Sequence, residues 1–93
     1  MVAPISRADR RRMRRPSAVE RFGSQAEAAL DVLELLELAW HDCYNESSPP
    51  EQVIEDVWLV AQGDLAALVS AAPLAVTDFR DLRLNADALR AGA

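Results

Sequence analysis

Apolar residues recur every three or four positions between residues 26 and 44, and this spacing constrains the fold more than any other feature. In a helix of 3.6 residues per turn it aligns the apolar side chains along one seam. The seam consists of Ala26, Ala29, Leu33, Leu36, Trp40 and Cys43. Further apolar residues widen it on both sides, namely Val32, Leu35, Ala39, Leu30 and Tyr44. A surface this wide needs two packing partners, so the sequence predicts helix A, from about Ala26 to Tyr44, within a bundle.

A second apolar face predicts helix B, from Pro49 to about Ala72. Its members are Ile54, Val57, Trp58, Ala61, Leu65, Leu68, Val69 and Ala72. This face stays in phase across Gly63, so we predict one continuous helix. In the alternative, Gly63 ends one helix and Asp64 caps the next.

A narrower stripe predicts helix C, from Pro73 to near Arg90. The stripe consists of Ala75, Phe79, Leu82, Ala86 and Leu89. In the alternative, Thr77 or Asp78 caps a later start and leaves residues 74–76 extended. No stretch alternates with the period of a strand. The predicted fold class is therefore all-α: a small three-helix bundle in which helices A and B form an antiparallel hairpin closed by helix C.

Three Ser-x-x-Glu motifs resemble the capping box that opens many helices. They are Ser17 to Glu20, Ser24 to Glu27 and Ser48 to Glu51. We expect the second to open helix A and the third to open helix B with Pro49 in the first helical position, where proline is favoured.

Charge divides the chain into a basic arm, residues 1–23, and an acidic helical domain, residues 24–93. The first 21 residues hold seven arginines and two acidic residues, a net charge of +5. The remaining residues hold three arginines and thirteen acidic residues, a net charge of −10. Positive charges repel along the arm and Pro16 is expected to end any helix there, so we predict a mostly disordered arm.

The arm is the clearest functional lead in the sequence. Its central arginines can neutralise phosphates of a nucleic acid or contact an acidic partner. They are Arg10, Arg11, Arg12, Arg14 and Arg15. Three alternatives involve no nucleic acid: an anchor on a partner protein, docking on the acidic helices of this chain or a second copy, and an extension without a role.

Self-association is expected because 51% of the 93 residues are apolar and a core of this size is small. We predict a homodimer, with Leu35, Leu38 and Leu59 as exposed partner-binding residues. The single cysteine, Cys43, allows no internal disulfide, and no apolar run reaches the ~18–20 residues of a membrane span, so we expect a cytoplasmic protein. All ten basic residues are arginine and none is lysine. Together with the abundant alanine, this composition suggests a GC-rich bacterial coding sequence.

Chemical sites have little support in the sequence. Glu34, Glu37 and His41 share one side of helix A and could ligate a metal, but a solvated acidic face that carries one histidine is the preferred interpretation, because helix B has no histidine to complete a site. His41 and Cys43 point in different directions on one helix. Trp40 and Trp58 are expected to be core residues at similar depths on either side of the A–B turn. We therefore expect no catalytic residue, no cofactor and no metal.

These observations favour a small non-enzymatic helical interaction or regulatory protein that acts through protein–protein contacts as a homodimer. The alternative is a nucleic-acid-associated regulator, antitoxin-like or repressor-accessory, whose arm grips phosphates.

Overall fold

The computed structural model describes residues 5–92, and all regular structure in that range is helical. The elements are α1 Arg7–Phe22, a 3₁₀ turn Gly23–Gln25, α2 Ala26–Tyr44, α3 Glu51–Ala61, α4 Leu65–Thr77 and α5 Phe79–Gly92. The all-α prediction is confirmed. A three-helix bundle with a disordered arm is not, because the described chain forms five α-helices and the arm supplies the first. No helix within residues 5–92 has the length and apolarity that crossing a membrane requires.

Helix α1 covers most of the arm that was predicted to be disordered. Ser6 caps it by accepting a hydrogen bond from the Asp9 N–H at 3.1 Å. Pro16 lies inside the helix, so the prediction that it ends the helix is wrong. Ala18 and Phe22 are buried in the core, and carboxylates on α2 offset the repulsion among the arginines. Residues 1–4 of the predicted arm lie outside the described range.

The predicted helix B is two helices, α3 and α4. Gln62 and Gly63 both have positive φ, 50° and 75°, and Asp64 caps α4 by accepting from the Ala66 N–H. The continuous helix is therefore wrong and the alternative is confirmed. The end of α1 packs closely against this break: a Cβ added to Gly63 would lie 2.6 Å from the Arg21 carbonyl oxygen, so only glycine fits there.

Helix C begins later than predicted. Asp78 accepts a hydrogen bond from the Asp81 N–H at 3.1 Å and opens α5, which confirms the alternative of a later start. The same alternative left residues 74–76 extended, and this is wrong, because α4 continues through Pro73 to Thr77.

None of the three predicted capping boxes opens a helix. Ser17 lies inside α1, and Ser24 belongs to the 3₁₀ turn, after which α2 starts without a side-chain cap. Helix α3 starts at Glu51, and its N-cap is Pro50. Ser48 instead accepts a hydrogen bond from Arg14 Nη2 at 3.1 Å, so its hydroxyl joins the loop to α1.

The helices pack around one core to which all five contribute. The backbone of α2 lies against α1 and α4, whereas α3 lies against α4 and α5. The predicted antiparallel A–B hairpin is therefore wrong: α4, not α3, packs on α2, and the C-terminal ends of α2 and α4 lie together, since Tyr44 Oη donates a hydrogen bond to the Val76 carbonyl oxygen at 2.8 Å. The predicted seam of α2 is buried through Trp40, but Cys43 is exposed, because the last turn of α2 extends beyond the core.

The two tryptophans are both buried, as predicted, but in separate aromatic groups. The Trp40 ring lies 4.3 Å from Tyr44 and 6.3 Å from Phe79, measured between ring centroids. The Trp58 ring lies 5.4 Å from Phe22. The expectation of similar depths on either side of an antiparallel A–B turn is wrong, because α2 packs mainly against α1 and α4 and α3 packs against α4 and α5.

Candidate functional site

A buried carboxylate, Glu37, joins α1 to α2. Its side chain is 1% exposed and accepts hydrogen bonds from Arg10 Nε at 2.5 Å and Arg14 Nη1 at 2.9 Å. Arg7, which is also on α1, places its Nε 3.8 Å from Glu37 Oε1. Burial raises the pKa of Glu37, but the two hydrogen-bonded guanidinium groups outweigh it, and the pKa lies below its ordinary value. Glu37 is therefore charged at neutral pH and holds α1 in place.

A second buried carboxylate, Asp56, joins α3 to α5 in the same way. It is 1% exposed, and Arg83 Nε and Arg90 Nη2 each donate to it at 2.7 Å. Gln52 adds a hydrogen bond at 3.2 Å. Burial again raises the pKa of Asp56, but the hydrogen bonds from Arg83, Arg90 and Gln52 outweigh this effect, and the pKa lies below its ordinary value.

The exposed edge of α1 pairs with acidic residues on α2. Arg11 contacts Glu27 at 2.8 Å, Asp31 at 2.9 Å and Glu34 at 3.2 Å. Arg15 contacts Glu27 at 3.1 Å, and these two guanidinium groups, Arg11 first, lower the Glu27 pKa. The basic arm thus docks on an acidic helix of its own chain, an arrangement that the sequence left open.

The five arginines predicted to contact phosphate or an acidic partner have different surroundings. Arg10 and Arg14 contact Glu37, and Arg11 and Arg15 contact the exposed carboxylates of α2. Arg12 contacts Asp9 on α1 itself and is the most exposed of the five. Four of the five guanidinium groups therefore point at α2, and their role toward an external partner stays a prediction.

The residues considered for metal binding or catalysis do not converge. Glu34 pairs with Arg11, Glu37 with Arg10 and Arg14, and His41 is exposed in the last turn of α2. Within residues 5–92, no three His, Cys, Asp or Glu side chains are grouped so that they could hold a metal ion.

An apolar groove, here called the α2/α4 groove, lies between α2 and α4 and has a volume of about 450 Å³. Its lining is Val32, Leu35, Leu36, Ala39, Val69, Ala72, Pro73, Val76 and Thr77. Leu35 is 65% exposed and Val69 is 53% exposed, so two large apolar side chains face solvent at its edges. No charged residue lines it.

A second groove, here called the α1/α3 groove, lies between α1 and α3 and has a volume of about 540 Å³. Its lining is Ile5, Arg10, Met13, Arg14, Ser17, Arg21, Glu51, Ile54, Glu55, Trp58, Leu59 and Arg90. The Arg21 guanidinium lies 6.0 Å from the centroid of the Trp58 ring. This groove combines apolar side chains with charges of both signs.

The three predicted partner-binding leucines do not form one surface. Leu35 lines the α2/α4 groove, and Leu59, which is half-buried, lines the α1/α3 groove. Leu38 is exposed but lines neither.

Sequence reasoning missed Asp56 and the burial of Glu37. The sequence did contain a signal for Asp56, which lies three residues after Val53 and therefore on the same helix face as this apolar residue. A charge there needs a buried partner, and Arg83 and Arg90 are two of only three arginines beyond residue 21.

Comparisons with known proteins add no relative. No protein-family model matches the chain, and neither the curated proteins nor the solved structures searched contain a match. The fold defines the chain as a small all-α protein, and the α1/α3 and α2/α4 grooves are its candidate binding sites.

Proposed function

We propose that this chain is a small non-enzymatic interaction protein that acts through protein–protein contacts and forms a homodimer through the α2/α4 groove. The observation that carries the proposal is Leu35, which is 65% exposed beside a groove with an almost wholly aliphatic lining. Covering such a patch removes apolar surface from water, which is the main source of association free energy.

A second copy fits this groove because the protruding side chains and the depression lie on one surface. In a two-fold dimer the same patch serves both copies, so each copy can place Leu35 in the groove of the other. The absence of charge from the lining favours this occupant, because no buried ion pair has to form at the centre of the interface.

The non-enzymatic part of the proposal draws support from the two buried carboxylates. Groups that serve as general acids or bases need a pKa near the working pH. In Glu37 and Asp56 the arginine partners lower the pKa and occupy the oxygens. Their arrangement serves to hold helices together.

The nucleic-acid alternative has less support than the dimer. Phosphate binding by Arg10, Arg11, Arg14 or Arg15 would compete with carboxylates already in contact with them. A salt series in a DNA-binding assay on the full chain tests it, because binding through the arm should weaken steeply as salt rises.

Sedimentation equilibrium tests the dimer with a matched pair of variants. We expect a mass of twice the chain's 10.2 kDa for the unmodified protein, and a monomer for Leu35→Asp. Leu84→Asp is the control, because Leu84 is 66% exposed on α5 and lines neither groove. Circular dichroism checks that both variants keep their helicity. A monomeric unmodified chain, or equal weakening by both substitutions, would refute the proposed interface.

A further inference from the structure

We propose that the α1/α3 groove binds an amphipathic helix of a partner protein, one that carries an apolar stripe with acidic residues along one edge and basic residues along the other. This goes beyond the proposed dimer and does not depend on it, since the lining residues of the two grooves do not overlap.

The shape of the groove suits a helix. Its α1 wall runs from Arg10 to Arg21 and its α3 wall from Glu51 to Leu59, each with lining residues three or four positions apart. The α1 wall is about 16 Å long at 1.5 Å per residue, which corresponds to three helical turns. Helix α1 packs mainly on α2, and α3 on α4 and α5. The two walls touch where the buried Arg14 side chain pairs with Glu51, and above this contact the groove is open to solvent, as the 67% exposure of Met13 shows.

The base of the groove supplies apolar contacts. Ile54 and Trp58 form its buried floor, and Met13 and Leu59 lie more openly on opposite walls. Met13 is 67% exposed, and its flexible thioether can adapt to the side chains of an incoming helix. Partner helices commonly bind such grooves through apolar residues at positions i, i+3, i+4 and i+7.

The charges on the two walls select the partner. Arg21 on α1 and Glu55 on α3 both line the groove, and neither forms an ion pair with another residue in the range 5–92. By contrast, Arg14 and Glu51 pair with each other across the groove at 3.3 Å. An incoming helix gains charge complementarity if its acidic edge meets Arg21 and its basic edge meets Glu55.

Fluorescence anisotropy with a designed peptide tests this proposal on the full chain. The probe is a labelled peptide of about 18 residues, stapled on its solvent side because short helices are marginal in water. It carries leucines on one face, glutamates along one edge and lysines along the other. In the control peptide lysine replaces every glutamate. We expect saturable binding of the probe and at least about tenfold weaker binding of the control.

Matched protein variants assign the binding to the groove. Met13→Asp should weaken binding about tenfold or more, because it places a carboxylate among the apolar contacts. Val19→Asp, on the same helix but outside the groove and 53% exposed, should leave affinity within about twofold. Arg21→Gln should weaken binding about threefold to fivefold, and Arg80→Gln, an exposed arginine outside the groove, should not.

Three outcomes would overturn the proposal. The first is no saturable binding of the probe below about 1 mM. The second is equal weakening by the Met13 and Val19 variants. The third is loss of binding in Leu35→Asp together with full binding in Met13→Asp, which would place the peptide in the α2/α4 groove. Retained binding in monomeric Leu35→Asp would support the α1/α3 groove, and it would separate a failure of this proposal from a failure of the dimer.

Discussion

Replacing Glu37 with glutamine tests whether one buried carboxylate holds α1 on α2. The substitution keeps the size of the side chain but removes its charge. The amide can no longer accept on both oxygens from Arg10 and Arg14, and its NH₂ group would face one of these donors. The α1 helix would then lose its most buried polar attachment.

The expected loss is about 3 kcal/mol in the free energy of unfolding. Removing one partner of a buried ion pair costs about 3–5 kcal/mol, because the other charge is left buried. The low end of this range applies because Arg14, which is 9% exposed, retains its hydrogen bonds to Ser48 at 3.1 Å and to Glu51 at 3.3 Å. Arg10 likewise keeps the Ile5 carbonyl at 2.6 Å. For a chain of this length, 3 kcal/mol corresponds to a fall of about 12–18 °C in Tm.

Urea denaturation followed by circular dichroism measures this loss, and Glu34→Gln is the matched control. Glu34 lies on the same helix but is a third exposed, and its partner Arg11 keeps two other carboxylates. The control should therefore lose less than about 0.5 kcal/mol. If the two variants were destabilised by the same amount, the argument that Glu37 attaches α1 would be wrong.

Two further predictions follow from the packing. Arginine partners lower the pKa values of Glu37 and Asp56 below the ordinary 4.5 and 3.8, so the unfolded chain binds protons more readily. The free energy of unfolding that these two carboxylates contribute should be complete above about pH 5, and it should be lost as the pH falls through their pKa values in the folded protein. Urea denaturation midpoints that stay constant down to about pH 3 would contradict this. Gly63→Ala should cost about 2 kcal/mol or more, because φ is +75° and the new Cβ would meet the Arg21 carbonyl at 2.6 Å. Gly92→Ala, whose Cβ would meet nothing within 4 Å, should be neutral, and equal Tm values for the two glycine variants would count against the strain.

The extent of α2 was predictable because it depends on local spacing. Apolar residues at intervals of three and four give both its bounds and its buried seam through Trp40. The break at Gly63 was harder, since the apolar face stays in phase across it. At the break, the Arg21 carbonyl lies so close to Gly63 that a side chain there would clash, and this contact between residues far apart in sequence cannot be read from local spacing.

The fold of the arm could not be predicted from its own residues. Considered alone, seven arginines with Pro16 among them argue against a helix. Helix formation depends on Glu37 and the acidic edge of α2, and on the burial of Ala18 and Phe22. Of the three predicted partner-binding leucines, Leu35 and Leu59 each line a groove, but the groove at Leu59 exists only because α1 is docked.

The division of charge along the sequence has a different meaning once the fold is known. Basic arms often indicate an anionic partner, yet most of the positive charge here neutralises carboxylates of the same chain. Charges that are already paired contribute little to binding a further molecule, because a new contact must first replace an existing one. Partner binding should therefore depend on what the fold leaves uncompensated. In the described chain such features include the apolar edge around Leu35 and the opposed charges of Arg21 and Glu55.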